Sequence, residues 1–154
     1  MTSPICLYRW VDACITDEKI PDTAFQIGTN VHGHAIYVGR AYFEDALCPI
    51  QVIPAQKRAY LGQNGKEYAV EKFEILCLNQ FKWVPSHDGV VLPGALPGGR
   101  NKVGVPTFVG RVFAEGSCVV GTIHPRYEVC FYPHKGKSLE TNKHEALLCL
   151  FYEE

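Results

Sequence analysis

The chain repeats itself. The segment from Ala24 to Arg40 returns, without a gap, from Ala95 to Arg111. Ala24, Gly28, Asn30, Gly33, Val38, Gly39 and Arg40 recur as Ala95, Gly99, Asn101, Gly104, Val109, Gly110 and Arg111, at a constant offset of 71 positions. The same offset pairs Glu44 with Glu115, Pro54 with Pro125, Gly65-Lys66 with Gly136-Lys137, and Glu74 with Glu145. A duplicated unit builds each local structure twice. The expected organisation is a first repeat over residues 1–77 and a second over 78–154. No Gly/Ser-rich linker lies between them, so the halves are expected to share an interface.

Each repeat reads as strands. Fourteen Gly and ten Pro are dispersed along 154 residues, which disfavours long helices. Runs such as Ala35–Phe43 and Thr107–Phe113 are rich in β-branched and aromatic residues. Shorter strands are expected at 51–53, 58–61 and 72–77, with counterparts at 121–123, 129–132 and 143–148. Gly62–Gly65 and Pro133–Gly136 read as hairpin turns. Short strands separated by frequent turns predict an all-β chain of two pseudo-symmetric, antiparallel, β-sandwich-like repeats. The similar runs at Cys6–Trp10, Cys77–Trp83 and Cys149–Tyr152 suggest terminal strands that complete a shared sheet or exchange between halves or chains. Such an arrangement would protect sheet edges.

Composition narrows the function classes. The formal charge is −1 and the Lys and Arg residues are scattered, which argues against nucleic acid as a partner. No apolar run reaches the ~20 residues of a helical membrane span, so no membrane insertion is expected. The N-terminus does not read as a secretory signal, and a cytoplasmic location is expected, with release or relocalisation left open. Seven cysteines without a Cys-x-x-Cys pair agree with free thiols acting as small apolar side chains. His32-Gly-His34 becomes Val103-Gly-Val105 in the second repeat and reads as a loop rather than a metal pair. No nucleophile or phosphate-binding motif occurs, so the chain is read as a binding protein without a cofactor or metal, not an enzyme.

The ordered pattern is itself informative. Trp10, Pro21, Ala24, Gly28, Tyr37-Val-Gly-Arg40, Gly65-Lys-Glu67 and Phe73–Leu76 are followed by Trp83, Pro93, Ala95, Gly99, Phe108-Val-Gly-Arg111, Gly136-Lys137 and Glu145–Leu147. This set resembles the DM9 repeat family of small invertebrate proteins. The resemblance implies a tandem-repeat lectin that recognises mannose-type or related glycans without a metal, in innate immunity, and a homodimer. It also implies one sugar site per repeat, at Asn30 with Gln51 and at Asn101 with Thr122. Mannose-binding relatives carry Asp and Lys at these positions, and none of the four residues here is charged. The alternative is an intracellular interaction or stress-response scaffold that has lost sugar binding. Asn30 and Asn101 are equally good Asx-turn residues. Arg40 and Arg111 either support a ligand or tie the repeats together through Glu44, Glu74, Glu115 or Glu145.

Overall fold

The structure, a computed structural model, describes residues 8–78 and 80–150. The first repeat forms β1 (Arg9–Cys14), β2 (Gln26–Thr29), β3 (Ala35–Phe43), β4 (Ala46–Ile53), β5 (Arg58–Gln63), β6 (Lys66–Ala69) and β7 (Lys72–Cys77). The second forms β8 (Phe81–His87), β9 (Pro97–Arg100), β10 (Pro106–Ala114), β11 (Ser117–His124), β12 (Val129–His134), β13 (Lys137–Thr141) and β14 (Lys143–Cys149). Beyond β1 and β8 each strand of the first repeat starts 71 residues before its counterpart. The all-β expectation therefore holds, and the duplication is carried into the backbone.

Turn chemistry explains the local hairpins. Asn64 and Gly65 have φ of 52° and 77°, and Lys135 and Gly136 have 51° and 77°. Two successive positive φ values give the two-residue turn whose twist matches that of paired strands. The β5–β6 and β12–β13 hairpins follow from it. The two hairpins then meet where Lys66 of β6 lies opposite Lys137 of β13. These residues are repeat equivalents, so the pseudo-two-fold relating the halves passes between them.

The strands close into a barrel, not a sandwich. Following the pairings, β4-β5-β6-β13-β12-β11-β10-β9 returns to β4 and makes an eight-stranded ring. The closing step is β9, which pairs with β10 of its own repeat and with β4 of the other, at Leu47 opposite Arg100. Closure hides edges that an open sheet would leave unpaired. The expectation of exchanged terminal strands also needs correction. β1 pairs with β7, and β8 with β14, each inside its own repeat. Cys6 and the 151–152 end of the third similar run lie outside the described residues.

Three apolar clusters sit within this frame. The central one draws on both repeats, with Ile36, Val38 and Leu76 packed with Leu96, Val109, Val120 and Leu147. Two private clusters flank it, around Ile50, Leu61 and Ile75 in the first repeat and around Ile123, Cys130 and Ala146 in the second. A core shared across the dyad means neither half buries its apolar face alone. The glycine gaps at Gly39 and Gly110 are filled from within. A Cβ at Gly39 would lie 3.0 Å from both Ile50 and Val52, and one at Gly110 would lie 3.0 Å from Ile123.

The two repeat-equivalent arginines brace each half. Arg40 Nε donates to Glu74 Oε1 at 2.8 Å and its guanidinium lies 4.5 Å from the Trp10 ring centroid. Arg111 Nε donates to Glu145 Oε1 at 2.7 Å and lies 4.5 Å from the Trp83 ring. Glu44 and Glu115 are not their partners. Of the two, among the described residues, only Arg111 reaches across, donating from Nη1 to the Ile27 carbonyl at 2.7 Å. Breaking a half-buried pair leaves the partner charge poorly solvated. Arg111→Ala is expected to cost about 2–3 kcal/mol and Arg40→Ala about half that, since Arg40 is more exposed and lacks the bond across the dyad. Equal losses in urea unfolding would show that the Ile27 contact contributes nothing.

Buried titratable groups set a pH window. Burial lowers the pKa of His124 and of His144. A histidine with a depressed folded pKa stabilises above its unfolded pKa and loses that contribution as pH falls below about 6.5. Burial also pushes the Cys48 thiol to about 11 and Cys130 to about 12. Raised thiols act in the opposite sense. They stabilise below the unfolded thiol pKa of about 8.5 and lose the contribution as pH rises above it. Thermal midpoints should form a plateau between roughly pH 7 and 8.5 and fall on both sides. A midpoint that climbs from pH 7 to pH 5.5 would contradict this.

Candidate functional site

A cleft of about 330 Å³ opens between the repeats. That volume matches a small-molecule site, which typically holds about 300–1,000 Å³. The first repeat supplies Asn30–His32 from the β2–β3 loop, Gln51 and Ile53 from β4, Gln56 from the 3-10 turn between β4 and β5, Arg58 and Tyr60 from β5, and Glu67 from β6. The second supplies the β10–β11 turn at Ala114–Glu115, Ser117 and Val119 of β11, and the β12–β13 turn from Pro133 to Gly136. The cleft exists because the hairpin of one repeat leans against the barrel wall of the other.

Asn30 and Gln51 meet here, as carried over from the resemblance. Much of their bonding capacity is already committed. Asn30 Oδ1 accepts from the backbone N–H groups of His32 and His34, both at 3.0 Å. It therefore holds the β2–β3 loop as an Asx-turn residue does, while its Nδ2 points toward Gln56 Oε1 at 3.4 Å. Gln51 is only 2% exposed. Its Oε1 accepts from the Val120 N–H at 2.7 Å, and its Nε2 lies 3.3 Å from the Cys118 carbonyl. Gln51 thus links β4 to β11 across the dyad and forms the floor of the cleft.

Charged residues that sequence reading missed make the walls. Arg58 Nη2 donates to Glu67 Oε1 at 2.8 Å, and its guanidinium lies 4.3 Å from the Tyr60 ring centroid. Glu67 Oε2 accepts from the Gly136 N–H at 3.2 Å. Glu67 consequently joins the Arg58 wall to the opposite turn. Across the cleft, Glu115 Oε2 is 2.7 Å from Lys135 Nζ and 3.3 Å from His134 Nε2. The bond from Lys135 holds the Glu115 carboxyl below its ordinary pKa, and burial raises that of the Tyr60 phenol. Glu115 and Lys135 sit at left-handed turn positions, which orient them over the cleft mouth.

Sequence alone offered one clue to these residues: the two Gly-Lys hairpins. Nothing local says that Lys135 of one repeat faces Arg58 of the other, because the strands joining them are paired only by the β6–β13 contact.

The second copy of the site is chemically different. Positions offset by 71 from Ile53, Gln56, Arg58, Tyr60 and Glu67 hold His124, Tyr127, Val129, Phe131 and Ser138. The His124 ring lies 5.1 Å from Phe131 and 5.7 Å from Tyr127. Thr122 sits opposite Phe131 in the β11–β12 ladder. Asn101 Oδ1 accepts from the N–H groups of Val103 and Val105 at 3.1 and 2.8 Å, holding its loop as Asn30 does. An aromatic cluster thus stands where the first copy has a charged cleft. Arg40 and Arg111 are not among the residues lining the cleft; they brace β3 and β10.

Among solved structures, the chain is similar to the crystal structure of the nematode sperm cell motility protein MFP2B, with a TM-score of 0.57 at 12% identity. The match covers 95% of this chain and 45% of that one, so the chain spans less than half of that protein. At this identity the likeness is one of fold. A search of curated proteins gives no match. The DM9 repeat model matches residues 30–141, which hold both copies of the Val-Gly-Arg strand, both Gly-Lys hairpins and every residue of the cleft. The chain belongs to the DM9 repeat family.

Proposed function

We propose that this chain is a carbohydrate-binding protein of the lectin type, taking mannose-type or related glycans at the cleft between its repeats. The observation that carries this reading is the meeting of Asn30 and Gln51 in a sugar-sized cleft. Around them stand Gln56, Arg58, Tyr60 and Lys135, whose N–H and O–H groups suit a polar ring. Family membership supports it. The reading differs from one site per repeat: the second copy is aromatic, so each chain carries one such cleft. Avidity on a glycan-coated surface, as in pattern recognition, then comes from a homodimer rather than from within the chain. A binding role without catalysis or cofactor completes the proposal.

A specific observation favours the second reading, a scaffold that no longer binds sugar. Asn30 Oδ1 and Gln51 Oε1 are both engaged by backbone N–H groups. A glycan array followed by calorimetry separates the two. The lectin reading expects one sugar per chain, lost by about tenfold or more in Arg58→Ala and kept in Thr122→Ala. Absence of any glycan bound would leave the scaffold.

A further inference from the structure

The cleft spends most of its acceptors on the protein, Glu115 Oε1 at the exposed rim excepted, and leaves donors to spare. Asn30 Oδ1 and Gln51 Oε1 each take backbone N–H groups. Glu67 gives one oxygen to Arg58 and the other to Gly136. Gln56 Oε1 receives Asn30 Nδ2. Glu115 Oε2 is shared by Lys135 and His134. Among the described residues, by contrast, Arg58 Nε and Nη1 and Gln56 Nε2 have no protein acceptor. A neutral sugar hydroxyl bonds best where it can both donate and accept. An oxyanion only accepts, and its bonds to guanidinium and ammonium are charge-assisted.

We propose that the cleft selects a sugar bearing an anionic substituent (a carboxylate, sulfate or phosphate) gripped by Arg58 and Lys135, over a neutral hexose. This rests on the carbohydrate reading above. Arg58 is suited to the role. Its guanidinium is stacked on Tyr60 and tied by one edge to Glu67, so its remaining donors are fixed in direction before the ligand arrives. Lys135 is suited differently. It is held by a rim carboxylate, Glu115, whose side chain is 62% exposed. The incoming anion replaces Glu115 at Lys135 at small cost, since a screened surface pair is weak. Glu115 thereby acts as a competing anion that keeps the cationic wall neutral when the cleft is empty. The second copy of the site has Val129 and Ser138 of the second repeat and Asn64 of the first at the positions of Arg58, Glu67 and Lys135, so it offers no such grip.

Calorimetry with matched probes tests this: methyl glucoside and methyl mannoside against glucuronate, glucose 6-sulfate and glucose 6-phosphate, with inorganic phosphate and sulfate alone. The anionic sugars should bind about tenfold or more tighter than the neutral ones, and the gap should shrink with salt. Which of the three anionic sugars leads identifies the substituent. Arg58→Gln should abolish the gap and Glu115→Gln should widen it. Both residues are solvent-exposed, and circular dichroism checks that each variant folds. Equal or tighter binding of the neutral sugars, or a gap untouched by Arg58→Gln, overturns the proposal while leaving the lectin reading in place. Binding of inorganic phosphate through Arg58 without any sugar binding would leave an anion site and remove the lectin reading. No response to any probe overturns both.

Discussion

Gly99→Ala is expected to destabilise the protein by about 3–5 kcal/mol. A Cβ at Gly99 would lie 2.0 Å from the Leu47 carbonyl oxygen and 2.9 Å from its carbon. These are backbone atoms of β4, and they cannot swing aside as the end of a side chain can. The contact is the seam where β9 closes the barrel onto the other repeat, so yielding there means parting β9 from β4. The repeat equivalent, Gly28, meets the Cys118 sulfur instead, at 2.5 Å, and has a φ of 152°. A side-chain neighbour leaves more room to adjust, so Gly28→Ala should cost less than Gly99→Ala. Gly104 supplies the control: nothing lies within 4 Å of its would-be Cβ, and only its φ of 90° resists alanine. Its substitution should cost about 1 kcal/mol. Urea unfolding of the three variants gives the order directly. A Gly99→Ala variant as stable as Gly104→Ala would mean that β9 does not close the ring in solution.

Gln51→Leu should cost about 2–4 kcal/mol, although it buries a larger apolar surface. Leucine matches the size of glutamine, so packing is nearly conserved. What it removes is the acceptor for the Val120 N–H, at a site that is 2% exposed. A buried N–H left without a partner carries the full desolvation penalty, about 1–3 kcal/mol, and the lost bond between repeats adds to it. The outcome also assigns a role. A large loss of stability marks Gln51 as a tie between β4 and β11 that also floors the cleft. If thermal unfolding of Gln51→Leu matched wild type while glycan binding vanished, Gln51 would be a ligand-binding residue instead.

These two variants mark the boundary between local and tertiary information. Strand positions were legible because β-branched and aromatic runs, and the Asn-Gly and Lys-Gly turns, act over a few residues. The prediction of Gly62–Gly65 and Pro133–Gly136 as turns succeeded for that reason. Arg40 and Arg111 were recognised as structural candidates, but Glu74 and Glu145 could not be chosen over Glu44 and Glu115. That choice depends on the register of β3 against β7 and of β10 against β14. The carried-over pair Asn30 and Gln51 did converge, because both lie in one repeat unit whose geometry is set locally. Their state of engagement was invisible, since the Val120 N–H that occupies Gln51 comes from the other half.

The strand-forming runs and turn residues of the sequence alone determined that the chain is all-β, and the duplication determined that it contains two similar units with equivalent loops at Asn30 and Asn101. Periodicity and turn chemistry are short-range, and a constant offset of 71 residues copies them faithfully. Only the tertiary structure decided that the units form one closed barrel around a shared core, and that the two copies of the site differ. The dyad brings each hairpin onto the other repeat's wall, so each site is built from both units. Where the copies diverged, at Arg58 against Val129 and Tyr60 against Phe131, the same backbone holds a charged cleft on one side and an aromatic cluster on the other.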